Sequence, residues 1–92
     1  LGSDELIKKE LIEKLNLTYI VKCPGSDERF ADKNNIIIFL YDNCDFEFKY
    51  VIKNSIFSLN SGKMGEYNNT EHFYKMYNKF VQLVKELNYL GR

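Results

Sequence analysis

Histidine, proline and tryptophan are almost missing from this chain. Its 92 residues include one His, one Pro and no Trp. A single histidine, His72, leaves little room for nucleophilic catalysis, which needs a base, a nucleophile and an orienting carboxylate converging on one point. At the start of a helix it reads as an exposed side chain. Two cysteines, Cys23 and Cys44, are too few for a disulfide framework. With one histidine they do not make a zinc site. Both are expected to be reduced thiols, which fits an intracellular, reducing compartment. Charge of one sign is absent as well: 13 basic residues balance 13 acidic ones. That balance argues against nucleic acid as a partner, because such binders rely on a basic stripe. The longest apolar run, residues 36–41, is far short of the roughly 20 residues needed to cross a bilayer, so no membrane role is expected. Ser61-Gly62-Lys63-Met64-Gly65 lacks the spacing of a phosphate loop and reads as a turn. No catalytic, metal or cofactor site is expected.

What is present is enough apolar material, 45% of the chain, for one core. Leu1-Gly2-Ser3 reads as the scar of a cleaved tag, which sets aside residues 1–3. Residues 4–15 read as a helix with acidic residues in its first turn. Ile7, Leu11 and Leu15 recur every four residues, with Leu6 and Ile12 beside them. The globular part then covers residues 16–92. Residues 17–23 alternate as a strand, and Pro24-Gly25-Ser26-Asp27 breaks it. A polar loop is expected to run to Asn35, with Phe30 its one large apolar residue. Residues 36–41 form a strand apolar on both faces, so a central one. A turn over Asp42-Asn43-Cys44-Asp45 leads into a half-buried strand of alternating aromatics through Phe46, Phe48 and Tyr50. A weaker strand is expected over residues 55–59, then a loop.

A long closing helix follows, with Asn68, Asn69 and Thr70 as possible caps. Phe73, Met76, Tyr77, Phe80, Val84 and Leu87 form its apolar face. The predicted architecture is α+β in two layers: helix, a three- or four-stranded antiparallel sheet, helix. The predicted core is Leu17, Tyr19, Val21, Phe46, Phe48, Tyr50 and Ile52 against the second helix. The abundant Phe and Tyr suggest a base-stacking sheet, but Phe46, Phe48 and Tyr50 share the helix-facing side and belong to the core.

The order of elements, with Lys14-Leu15-Asn16-Leu17-Thr18, the 36–52 hairpin and Asn69-Thr70-Glu71-His72-Phe73-Tyr74, resembles the RWD-like globular heads of kinetochore coiled-coil proteins. These are the paired small subunits of the microtubule-binding kinetochore complex and the monopolin subunit. In that family a coiled-coil helix enters the first strand through a Leu-Gly-Leu-like step, and Asn16 stands where glycine is usual. The resemblance implies a non-enzymatic, dimeric assembly head at the kinetochore that acts in chromosome segregation and docks protein segments.

Dimerisation is expected through the first helix, at Leu6, Ile7, Leu11, Ile12 and Leu15. That stripe is too wide for one small sheet to cover. Phe30, Tyr67 and Tyr74 are candidate partner-surface residues. An alternative of different class is a small phage-encoded inhibitor, anti-CRISPR-like, that blocks a nuclease by binding it. A further one is a subunit of a small ribonucleoprotein, which the charge balance of the 24–35 loop disfavours.

Overall fold

The computed structural model describes residues 2–22, 27–52 and 58–90. Helix α1 (Gly2–Lys14) leads into five strands: β1 (Thr18–Lys22), β2 (Asp27–Ala31), β3 (Ile37–Tyr41), β4 (Phe46–Val51) and β5 (Ser58–Asn60). Helix α2 (Thr70–Leu90) closes the chain. The strands pair antiparallel in sequence order, β1-β2-β3-β4-β5. The architecture is the expected helix–sheet–helix α+β fold, with five strands. The inward placement expected of Cys23, and residues 55–57 of the weak strand, lie outside the described residues.

α1 stops where backbone chemistry lets it. Asn16 adopts φ 51°, a left-handed conformation that Asn tolerates better than most residues. Its amide donates to the Glu13 carbonyl at 3.2 Å, and the Leu17 amide donates to Ile12 at 2.9 Å. These two bonds are a Schellman cap. They satisfy carbonyls that the helix leaves open and turn the chain straight into β1. α2 begins just as specifically. The Asn69 side chain accepts the His72 amide at 3.2 Å, which is N-cap geometry.

One strand was hidden in the sequence. The expected loop before Asn35 contains β2, paired with β3 from Asp27↔Tyr41 to Ala31↔Ile37. Three of its five residues are charged, so it carries no apolar alternation. It is a strand because its acids find partners inside the fold. Glu28 takes Lys8 Nζ at 2.8 Å and the Tyr19 hydroxyl at 2.8 Å. Asp27 takes Arg29 Nε at 3.0 Å. Between β2 and β3, Asp32 closes a tight turn, accepting from the amides of Asn34 and Ile36 at 3.0 and 2.7 Å.

The core lies on one face of the sheet, under both helices. Phe30, Ile38 and Phe48 sit opposite one another across β2, β3 and β4. They form one buried cluster with Leu11 of α1 and with Phe73, Tyr77, Phe80 and Val84 of α2. Phe46 and Phe48 meet Phe73 edge-on at 4.8 and 5.6 Å, a geometry that ring quadrupoles favour. Two expected core residues are exposed on the edge strand: Tyr19, 51% exposed, stays on the inner face with its ring 4.5 Å from Phe30, whereas Val21, 40% exposed, faces out. The β1–β2 register slips between them, pairing Tyr19 with Phe30 but Val21 with Arg29. An extra residue in an edge strand reverses the parity of everything after it. Leu17, Tyr50, Ile52, Met76 and Leu87 are half-buried at the margin.

His72 is held rather than exposed. Its Nε2 donates to the Met64 carbonyl at 3.0 Å, and its ring lies 6.0 Å from Phe46. Gly65, at φ +140°, passes so close that a Cβ there would come 3.0 Å from His72 Nε2.

Candidate functional site

With both helices on one side, no described helix or strand covers the other side of the sheet. Its central row is Arg29, Phe39 and Glu47, aligned across β2, β3 and β4. Next to it Tyr41 aligns with Asp27, and on the other side Ile37 aligns with Ala31 and Lys49. β3 is therefore the central strand that its sequence implies, but only Ile38 and Leu40 on its inner face are buried. Ile37, Phe39 and Tyr41 remain half-exposed.

Polar groups partly cover these rings. The Phe39 and Tyr41 rings stack with centroids 6.3 Å apart and planes 14° apart. The Arg29 guanidinium lies 4.9 Å from the Phe39 centroid, and Lys63 Nζ lies 5.0 Å from that of Tyr41. Each such contact is worth about 0.5–1 kcal/mol at an exposed site. Lys63 Nζ also reaches Asp45 at 3.7 Å. The Tyr41 hydroxyl donates to Glu47 at 2.9 Å. Partial burial, together with that carboxylate, pushes the phenol up to about 12. The result is an amphipathic platform: two rings with a cation at each end, extended by exposed Val21 and Val51.

Beneath the helices is a second polar cluster of different character. Lys8 is 8% exposed and joins Glu28 at 2.8 Å and Glu5 at 3.3 Å. Burial opposes its charge, but Glu28 outweighs it and holds the ammonium above its usual pKa. Cys44 is a free, buried thiol. Burial first, then a hydrogen bond with Asp4, push its pKa up, which keeps it protonated and poorly nucleophilic. Among the described residues no group of three His, Cys, Asp or Glu is placed to hold a metal. No described helix is long and apolar enough to cross a membrane.

The sequence-predicted partner surface is mostly interior. Phe30 is 0% exposed and Tyr67 1%, so neither is available to a partner in this fold. Phe30 points inward because β2 is a strand. Tyr67 is held beside the core by its backbone N–H, which donates to the Cys44 carbonyl at 2.8 Å. Tyr74 is half-buried, and its hydroxyl has no hydrogen-bond partner among the described residues. Of the first-helix stripe, Leu11 is fully buried and Ile7, Ile12 and Leu15 pack against the core. Leu6 alone stands out, at 68% exposure.

Sequence reasoning missed Arg29, Phe39 and Tyr41. The one signal for them was that β3 is apolar on both faces, which reads equally well as burial on both.

No family model, curated protein or solved structure matches the chain.

Proposed function

We propose that this chain is a non-enzymatic protein-interaction module, a head of the kind carried by kinetochore coiled-coil proteins, and that it acts in chromosome segregation. One observation carries the interaction reading. A central strand that is apolar on both sides has a covered face and an open one, and the open face presents stacked Phe39 and Tyr41 between Arg29 and Lys63. A half-exposed aromatic patch rimmed by charge is a recurrent feature of protein-binding surfaces. Its occupant is a short segment of a partner protein laid across β3, with apolar side chains on the two rings and on Ile37.

The kinetochore reading draws support from the order helix, antiparallel meander, helix. It also draws on Asn16, which takes a left-handed φ of 51° at the step where that family has glycine. Dimerisation next to α1 belongs to the same proposal. It rests on Leu6 with the flanks of Ile7 and Ile12, because Leu11 is spent on the chain's own core. A contact that small gives a weak dimer unless further helix precedes it.

The test is localisation in dividing source cells. Fluorescently tagged protein should form foci that divide with the chromosomes. The variant Phe39→Asp with Tyr41→Asp should lose the foci and keep its melting temperature within a few degrees. A diffuse signal through mitosis removes the kinetochore reading. Foci untouched by the double variant remove the open face as the binding surface.

A further inference from the structure

A groove of about 420 Å³ opens where three distant stretches of chain meet. Lys14 and Asn16 come from the end of α1, and Lys33 and Asn34 from the β2–β3 turn. Asn78, Gln82 and Lys85, four and three residues apart, come from one face of α2. No carboxylate lines the groove. Among the described residues Lys33 and Lys85 make no ion pair, and Lys14 shares only a loose, exposed one with Glu10 at 3.6 Å.

Two sources of negative charge beside the groove are already engaged. Asp32, in the adjoining turn, accepts from the amides of Asn34 and Ile36, from Asn34 Nδ2 at 3.1 Å and from the Tyr77 hydroxyl at 2.5 Å. At the carboxyl end of α1, the carbonyls of Leu11, Ile12 and Glu13 take the amides of Leu15, Leu17 and Asn16. The groove therefore gathers three lysines: Lys33 and Lys85 are without an ion pair among the described residues, while the Lys14 ammonium lies towards Glu10 and the Tyr74 ring.

We propose that this groove binds a small organic phosphate: a phosphate monoester on a polar body the size of a sugar or a mononucleotide. A monoester carries about 1.5–2 negative charges at neutral pH, and lysines serve it as point charges. Side-chain amides both donate and accept, which suits hydroxyls or a base edge. Leu15, Tyr77 and Val81 supply apolar wall. The volume falls within the range of about 300–1,000 Å³ typical of small-molecule sites. This site is separate from the open face of the sheet and stands independently of its proposed role.

The experiment is an amide-resolved NMR titration at constant ionic strength. The probes are adenosine 5′-monophosphate and glucose 6-phosphate; adenosine, glucose and sulfate are controls, and a phosphoserine peptide is the rival ligand. At least one phosphate ester should give saturable shifts at Asn16, Lys33, Asn34, Gln82 and Lys85, with little from its uncharged counterpart. The double variant Lys33→Ala with Lys85→Ala replaces two exposed side chains. It should bind that ester at least tenfold more weakly at an unchanged melting temperature. Shifts that grow without saturating, or that sulfate reproduces, mean charge screening and overturn the proposal. So does an unchanged affinity in the double variant. Tighter binding of the phosphoserine peptide than of both esters would overturn it in favour of a protein ligand.

Discussion

The two faces of the sheet are built from the same strands and both contain a tyrosine bonded to a carboxylate, yet they do opposite things. On the inner face Phe46 and Phe48 meet Phe73 of α2 and are fully buried. Tyr77 there donates to Asp32, and burial together with that carboxylate holds its phenol well above the ordinary range. On the outer face Phe39 and Tyr41 stack with no helix above them, covered by Arg29 and Lys63, and Tyr41 donates to Glu47 in contact with water. The difference teaches that aromatic content does not separate core from binding surface. What separates them is whether an apolar layer lies above the ring.

The contrast can be broken most directly by truncating one ring on each face. Phe48→Ala should cost about 3–5 kcal/mol, the range for an aromatic ring removed from a packed core. A urea denaturation midpoint that hardly moves would mean the inner face is not the core. The carboxylates give the next largest effect. Asp32→Ala leaves the Tyr77 hydroxyl and two turn amides without their acceptor and should cost about 2–3 kcal/mol. Glu47→Gln on the wet face should stay within about 0.5 kcal/mol. Equal losses in thermal denaturation would erase the distinction between the faces. Phe39→Ala removes a stacked ring that has the Arg29 guanidinium but no apolar layer above it. It should cost less than about 1 kcal/mol in the same measurement, so a loss like that of Phe48→Ala would show the outer face to be buried.

The smallest effect is in the titration of phenols. Tyr41 and Tyr77 both have raised pKa values in the folded state, so the fold favours their protonated forms. The stability they contribute is fully present below pH about 10 and is lost as the pH rises through the folded values. Difference absorbance between wild type and Tyr41→Phe should isolate one phenol ionising at about 12. Ionisation near 10 would show that its contact with Glu47 does not persist in solution.

Several of these features were legible in the sequence for local reasons. The alternation of Phe46 and Phe48 marks an inward-facing strand, and the spacing of Phe73, Tyr77, Phe80 and Val84 marks the helix face that covers it. Asn68, Asn69 and Thr70 announce the start of α2, and the structure gives the capping side chain to Asn69. β2 was not legible, because Asp27-Glu28-Arg29-Phe30-Ala31 has no apolar period. Its acids become tolerable in a strand only once Lys8, Tyr19 and Arg29 reach them. The candidate binding surface was less legible still, since one pattern in β3 serves a doubly covered strand and an open one alike.

By itself the sequence determined the elements whose signals are local: two helices, the apolar face of the second, and the β3–β4 hairpin with its inward aromatics. Only the tertiary structure decided which side of the sheet the helices share. It also decided that Leu11 of α1 joins the chain's own core, that the bulge in β1 turns Val21 outward, and that Lys14, Lys33 and Lys85 converge on one groove. The reason is physical. Caps, turns and periodicity depend on neighbours within a few residues, while coverage of a face depends on where a distant element comes to rest. An apolar side chain makes the same transfer out of water whether its own helix or a partner covers it.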